Sequence, residues 1–510
     1  MEKTYQHIPK EKFEFQQLDA NIHDQKLETK SRGYFADAMI RFKKNKSSVV
    51  AAWIILFLVV FAIVSPLISG NNVRHMDTTY TNHPPFIRAI ADMNLGIFDG
   101  AVIHASQNDK QLLKWEAIGQ ETGMDPVIRI VSTTTQLEKY RGQMREVTYY
   151  KLENNKYYER GVVHRTLSYQ EYEDIISYQD ETGIQVLYPY VEPKDIKGIS
   201  DAPNIWYEVT DTKGTPKTDA DGNLIPAYSK NKEMEYKEYN SLRIEGDEGD
   251  YIYAYKKSGS VHVRVCYYNF YQYVNGHEPN YVFGTTVLGQ CLFTGIGVGA
   301  RFSLIFAVIV SAINLTIGAV YGAIQGYYGG YVDLFLDRIS DILSGIPFIV
   351  VTTLFQLHLA QKVGVLGSFV FAFVLTGWIG MAALTRKQFY RFKGQEFVLA
   401  ARTLGASDWR LMFKHIFPNS LGTIVTSCAV VIPGVINSEV SMSYLGIINL
   451  QDVFGTTIGT LASQGQNSMT SAPHAMLFPA IFISLLLISF NLFGNGLRDA
   501  FNPSTRGVED

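Results

Sequence analysis

The 510-residue sequence has few of the groups that chemistry usually needs. It has three cysteines, Cys266, Cys291 and Cys428, too few and too unevenly spaced for a disulfide framework. Cys428 lies in an apolar run, out of reach of the other two. A Cys266–Cys291 bridge stays open, although Cys291 adjoins a membrane entry point. No Gly-Lys dipeptide occurs, which excludes a Walker A phosphate loop. Leu343-Ser344-Gly345 begins like an ATPase signature but runs on into Ile346-Pro347, which does not fit one. HExxH, paired CxxC and GxSxG are also absent, so no zinc protease, zinc ribbon or serine-hydrolase elbow is expected. Asp219-Ala220-Asp221-Gly222-Asn223 has calcium-loop residue types without the spacing or closing Glu of an EF-hand. No metal and no cofactor is therefore assigned to this chain. The net charge of −3 gives no reason to expect a nucleic-acid partner.

What the chain does have is 47% hydrophobic residues, 13% aromatics and 31 tyrosines, divided between two unlike materials. The first 46 residues are polar and end in Arg41-Phe42-Lys43-Lys44-Asn45-Lys46. The apolar run Val49–Ile68 follows, about the 20 residues that span a bilayer. It lies too far in for a cleaved leader and has no A-x-A-like site. The spans expected are 47–69, then about 298–325, 346–362, 366–388, 421–446 and 475–497, six in all. Lys387, Arg391, Lys393, Arg402, Arg410 and Lys414 fall in one loop, with Arg498 and Arg506 beyond the last span. The positive-inside rule then places both termini in the cytoplasm. The fold expected is an all-α polytopic membrane protein with an inserted mixed α+β domain.

Residues 70–285 form that insert, between spans one and two and hence extracellular. It has no span-length apolar run. It carries about 23 Lys and Arg against about 31 Asp and Glu, and at this size it can bury its own core. Strands are expected at Val127–Ser132, Glu146–Leu152, Ile184–Val191, Tyr251–Tyr255 and Val261–Tyr268, the last two as a hairpin. Asp211–Asn223 reads as a hairpin loop. Tyr149-Tyr150 and Tyr157-Tyr158 suit half-buried strand positions with hydrogen-bonded tips better than sugar- or peptide-stacking surfaces. The five-helix remainder covers 286–499, and 500–510 is a cytoplasmic tail.

One polar, basic stretch stands between long apolar runs: Glu396–Asn419, EFVLAARTLGASDWRLMFKHIFPN, within the loop 391–418. Ala400, Ala401, Arg402 and Leu404 favour a helix that Gly405 ends. Ser407 suits the next N-cap, with Asp408 in its first turn. Trp409, Met412, Phe413 and Ile416 recur at helical spacing, and Pro418 is expected to stop the helix. By periodicity alone this is an amphipathic helix on the membrane surface. In span two, Gly318, Gly322 and Gly326 are four apart, the spacing that lets a neighbouring backbone approach. Asn314, Gln356, His358, Asn437, Glu439 and Asn491 are polar groups inside spans, where burial is costly. Glu439 is placed near the outer surface as an interfacial carboxylate. With Asn437 and Asn314 it is also a candidate for the substrate pathway or a gate.

Ala400-Ala401, Gly405, Ala406 and Pro418 together resemble the coupling loop of ABC importer permeases, and AARTLGASDWR…HIFPN is similar to its dipeptide/oligopeptide branch. The resemblance continues through Gly284-Thr285, Gly299-Ala300-Arg301-Phe302-Ser303-Leu304, Gly326-Tyr327-Tyr328-Gly329-Gly330-x-x-Asp333 and Phe490-Asn491-Leu492-Phe493-Gly494 through Pro503. It covers most of 284–506 and the first span. It departs at Leu399, where the family has Glu, at Thr286 and Gln290-Cys291, and at Phe417. The resemblance implies a type I importer-like, C-type permease subunit in a bacterial plasma membrane. It further implies a B-type permease partner, two ATP-binding subunits that hold ATP and Mg, and an extracellular peptide-binding protein. It assigns ATPase docking to Leu399, Ala400, Ala401, Arg402, Gly405, Ala406, Asp408, Trp409, Phe413 and Pro418. The competing expectation is a membrane-anchored binding or sensing protein on a degenerate permease scaffold, or a permease for a non-peptide substrate such as a metal chelate.

Overall fold

The computed structural model describes residues 34–93, 95–140, 143–191, 199, 201–211, 214–229, 251–257 and 259–501. Most of the expected N-terminal segment and nearly all of the tail after 500 lie outside these residues. So do parts of the two loops expected at Asp211–Asn223 and between Tyr255 and Val261. Helix α1 (Tyr34–Lys44) carries Arg41, Lys43 and Lys44 in its last turn. Asn45 then caps α2 (Lys46–Ile68), its side chain accepting from the Ser48 N–H. A cap at this point starts a new helix where the sequence turns from basic to apolar.

Five helices of the described residues are long and apolar enough to cross a membrane: Lys46–Ile68, Leu292–Tyr328, Ala360–Phe392, Asp408–Tyr444 and His474–Phe501. The span expected at 346–362 is an 11-residue helix, Phe348–His358, about 16 Å long at 1.5 Å per residue. Gly345 and Pro347 end the helix before it, and Gly364 breaks the backbone after it (φ +80°). The expected bounds overran this helix at both ends, taking in Ile346-Pro347 before it and the turn at Leu359 after it.

The insert follows α2. Its elements are α3 (Arg88–Ala91), β1 (Ala101–Asn108), α4 (Asp109–Thr122), β2 (Val127–Tyr140), β3 (Gln143–Asn155), β4 (Val162–Leu167), α5 (Tyr169–Thr182), β5 (Leu187–Tyr188), β6 (Ala254–Lys257), β7 (Ser260–Cys266) and α6 (Tyr267–Asn275). One sheet has the order β1-β3-β2; in the other, β7 pairs with β4, β5 and β6, all antiparallel. The expected strand at 184–191 shortens to two residues. The expected strand 261–268 ends at Cys266, because Tyr267 opens a helix whose tyrosines face a core. Residues 207–226 pair with each other through isolated bridges.

The tyrosines fill that core. Tyr80, Tyr157, Tyr271 and Tyr281 are buried beside Phe86, and the Tyr157 hydroxyl donates to the Pro84 carbonyl at 2.9 Å. Cys266 and Cys291 are buried as free thiols. The insert's entry and exit strands close on each other: Phe86 and Tyr281 exchange backbone bonds of 2.9 and 3.0 Å, and Thr285 N–H meets the His83 carbonyl at 2.9 Å. A buried Arg264 joins the two sheet regions, forking onto both oxygens of Glu121 at 2.8 and 2.9 Å while also donating to the Pro189 and Pro203 carbonyls. An ion pair removed from water survives only when its remaining donors are satisfied in this way.

The membrane-region helices continue as α7 (Leu292–Tyr328), α8 (Gly330–Ser344), α9 (Phe348–His358), α10 (Ala360–Thr376), α11 (Ile379–Phe392), α12 (Glu396–Thr403), α13 (Asp408–Tyr444), α14 (Gln451–Phe454), α15 (Ile458–Asn467) and α16 (His474–Phe501). Their shared core includes Ile296, Phe306, Phe369, Ile436, Leu461 and Leu486.

Candidate functional site

The polar loop between α11 and α13 is anchored at three levels, beginning with its own backbone. Helix α12 ends in a two-bond cap: Gly405 N–H reaches the Arg402 carbonyl (3.0 Å) and Ala406 N–H the Ala401 carbonyl (3.1 Å). This closure needs a left-handed residue at Gly405, whose φ is +82°, and glycine takes that conformation without penalty. Ala401 and Ala406, the pair that meets across the cap, lie against a small core of Val398, Leu411, Met412, Ile416 and Phe389.

Helix α13 starts at Asp408, with Ser407 at the N-cap position but making no side-chain cap bond. Pro418 does not stop this helix. Residues Leu411–Ile416 widen into π-helix, and the Phe417 N–H bonds five residues back to Met412. Proline has no N–H and its ring crowds the carbonyl four residues earlier. A π-turn just ahead of it absorbs both defects and lets the helix run on to Tyr444. The same shift rotates the expected stripe. Leu411, Met412 and Ile416 are buried, whereas Trp409 is 66% exposed and meets the Phe413 ring at a tilt, 4.1 Å between centres. Leu404 is 88% exposed, and Phe397 and Leu399 are exposed as well. The loop thus presents an apolar patch outward.

The second anchor is Tyr327, at the end of α7. Its hydroxyl donates to Asp408 Oδ1 at 2.5 Å and accepts from Arg402 Nη2 at 3.3 Å, and the Arg402 guanidinium lies 5.8 Å from the centre of its ring. One phenol thereby ties both halves of the loop to span two. The third anchor is on α8 and α11. Arg386 donates to Asp333 (2.6 Å) and Asp337 (2.9 Å), Tyr390 donates to Asp333 (2.6 Å), and Lys393 donates to the Gly326 carbonyl (3.0 Å). These bonds tie the loop to α7, and the end of α11 to α7 and α8. The sequence pattern contained Tyr327 and Asp333, but spacing alone could not show that Tyr327 meets Asp408 and Arg402 or that Asp333 meets Arg386.

Gly318, Gly322 and Gly326 all face α11. A Cβ at Gly318 would lie 2.6 Å from the Trp378 carbonyl oxygen, one at Gly326 would lie 2.6 Å from Phe389 Cβ, and one at Gly322 would collide with the Ala382 carbonyl oxygen. Asn314 is buried on the same helix near Gly377.

Glu439 is not interfacial. It is fully buried between α7 and α13, accepting from Ser303 Oγ (2.6 Å) and Ser443 Oγ (3.1 Å). Counting helix rise cannot show which way a residue faces. Asn437, two residues earlier, is exposed on the other side of α13. The structure therefore does not bring Glu439, Asn437 and Asn314 together as one site. His358 is exposed and bonds back to the Leu354 carbonyl (3.1 Å), and Gln356 donates to the Val365 carbonyl (3.1 Å).

The chain belongs to the inner membrane components of binding-protein-dependent transport systems, whose family model matches residues 315–507, and a second model, the N-terminal TM domain of oligopeptide transport permease C, matches residues 33–85. The oligopeptide transport system permease protein OppC of Bacillus subtilis (strain 168) is 38% identical over 46% of this chain and 76% of its own length. The dipeptide transport system permease protein DppC of the same organism is 37% identical over 44% and 69%. OppC of Escherichia coli (strain K12) is 37% identical over 45% and 74%. Among solved structures, an inward-facing conformation of the MetNI methionine ABC transporter covers 40% of this chain and 94% of its own at 15% identity, with a TM-score of 0.33, too low to carry an argument.

Proposed function

We propose that this chain is the C-type permease subunit of an ATP-driven importer of oligopeptides or dipeptides and forms half of the translocation pathway. The observation that carries the reading is the loop 396–418, tied by Tyr327 to span two while Leu404 and Trp409 stand out from the protein. Alternating access requires that binding energy on one side bias two packings of the helices. A partner ATPase that takes up Leu404 and Trp409 pulls on Asp408 and Arg402, and through Tyr327 on α7. The relatives' names supply the peptide class of substrate.

In this reading a B-type permease completes the pathway, two ATP-binding subunits hold ATP and Mg, and an extracellular peptide-binding protein delivers substrate. The chain itself is non-catalytic and carries no cofactor or metal. Both termini are cytoplasmic and the insert is extracellular. Helix α9, with its flanking apolar residues, serves as a sixth, short crossing. Close packing of Gly318, Gly322 and Gly326 on α11 makes those two helices move as one body. Reconstitution of the five-component complex tests the reading. The expected result is ATP-dependent uptake of a labelled peptide that disappears when Tyr327→Ala is introduced. Unchanged uptake in that variant would remove the coupling role.

A further inference from the structure

The insert has a free sheet edge with an acidic cavity at its foot. Among the described residues strand β2 pairs only with β3, and no backbone hydrogen bond from another described segment reaches its outer side. Beyond Tyr149, β3 also loses its second neighbour, because β1 ends there, so 135–140 and 143–148 form a two-stranded ribbon. Such a ribbon is marginally stable in water by itself. Proteins usually protect a free edge with charge, proline or a covering element. Ile130 through Leu137, Ile-Val-Ser-Thr-Thr-Thr-Gln-Leu, has none of the first two, and all eight residues are exposed. Leu137 and Met144, 64% and 61% exposed, sit diagonally on one face.

Where β2 begins, a cavity of about 620 Å³ opens. Asp92, Asp99 and Asp125 line it together with Leu95, Ile128 and Tyr158, and the Arg129–Glu153 pair closes one side. Asp99 and Asp125 each accept a backbone N–H, from Ala101 (3.0 Å) and Val127 (2.8 Å), and among the described residues neither is ion-paired. The cavity thus has excess negative charge, apolar walls and two carboxylates held in place by the chain.

We propose that the insert binds an extended peptide directly, with the free edge of β2 pairing with the peptide backbone and the acidic cavity at its foot taking the terminal ammonium. Backbone pairing to an edge reads no side chains, which suits a carrier of varied sequences. The amine in the cavity fixes the register. At about 3.3 Å per residue, the uncharged stretch of β2 accommodates roughly six to eight peptide residues. The proposal rests on the peptide-import reading above and adds a site to it.

The test uses the full chain in lipid nanodiscs and a hexapeptide carrying fluorescein at its C-terminus. Two control peptides are an N-acetylated twin and a twin N-methylated at alternate backbone nitrogens. Anisotropy should show the free-amine peptide binding at least about tenfold more tightly than the acetylated one, the scale of one charge-assisted hydrogen bond. The N-methylated twin should also lose affinity. In the Asp99→Asn/Asp125→Asn variant, which keeps both backbone acceptors, the free and acetylated peptides should bind alike. Equal binding of free, acetylated and N-methylated peptides to the unaltered chain overturns the proposal. So does detergent-solubilised chain that pairs with itself through this edge, or recruitment of the binding protein to the ribbon with no peptide affinity. Import of the same peptide by the complete complex is read in parallel. Import without binding at the insert ends this proposal and leaves the function standing, whereas failure to import any peptide ends the function.

Discussion

Gly405 allows backbone conformation to be separated from bulk. Its φ of +82° is required by the two-bond cap, yet a Cβ built there meets nothing within 4 Å. Any effect of substitution must therefore come from the dihedral. Asn tolerates the left-handed region and should be nearly neutral. Ala carries the ordinary penalty of about 1 kcal/mol. Pro is fixed near −65°, some 150° away. It also removes the 3.0 Å bond to Arg402 and displaces the 3.1 Å bond from Ala406 to Ala401, each about 0.5–1.5 kcal/mol. Added to the strain, this comes to about 3 kcal/mol or more. An equilibrium between docking-competent and other loop conformations then shifts about fivefold for Ala and about a hundredfold for Pro. Membrane insertion should be unchanged in all three variants, because the spans are untouched. Peptide uptake and peptide-stimulated ATPase activity of the reconstituted complex should rank Gly ≈ Asn > Ala ≫ Pro. Undiminished coupling in Gly405→Pro would refute the coupling role. Equal loss in all three variants would show that the loop is read by its surface at this position rather than by its backbone.

Gly322→Ala should destabilise the detergent-solubilised protein by about 1–3 kcal/mol through overpacking against Ala382, while Gly380→Ala, where a Cβ meets nothing within 4 Å, should leave its melting temperature unchanged; equal melting of the two variants would contradict the packing of α7 on α11. Arg264→Met should cost about 3–5 kcal/mol by leaving Glu121 buried and unpaired, and adding Glu121→Leu should recover most of that loss; urea unfolding followed by a probe in the insert checks this, and a double variant no better than the single would contradict it. Burial beside Tyr80 and Tyr157 pushes the His83 imidazole down to about 4, against the opposing pull of the Thr81 carbonyl. The unfolded chain takes up a proton near pH 6.5 that the folded insert refuses. Stability should therefore be flat above pH 6.5 and fall by up to about 3 kcal/mol as pH drops toward 4. His83→Gln should flatten part of that slope in thermal melts, and an unchanged slope would assign it to other groups.

Much of the membrane region could be read from the sequence because hydropathy and helix length are local properties. The loop could be read because Gly405, the alanines and the basic flanks each have a local meaning. Failures occurred where a local rule met a tertiary one. Pro418 stops helices as a rule, but a π-turn ahead of it carries α13 through. The stripe of Trp409, Met412, Phe413 and Ile416 assumes 3.6 residues per turn, and over the wider turn Leu411 is buried with Met412 and Ile416. Glu439 was placed by depth, and depth does not distinguish lipid, water or a neighbouring Ser303. The third span, expected at 346–362, took in Pro347 and the turn at Leu359, which bound a shorter helix. In the insert, strands β2, β3, β6 and β7 follow β-branched and aromatic runs. Helices α4 and α5 were missed because their polar faces dilute the periodicity. The bond from Tyr327 to Asp408 spans 81 positions, a distance at which one sequence without relatives gives no signal.

The account's central claim is that this chain passes peptides across a membrane when ATPases act on its loop. It is tested most directly by measuring ATP-dependent accumulation of a radiolabelled oligopeptide in proteoliposomes holding this chain, its partner permease, both ATPases and the binding protein. The prediction is uptake that requires ATP and this chain and is abolished by Gly405→Pro, although the variant is still inserted in the membrane. Peptide uptake that continues without this chain, or ATP-driven uptake of a non-peptide solute with none of peptides, would contradict it.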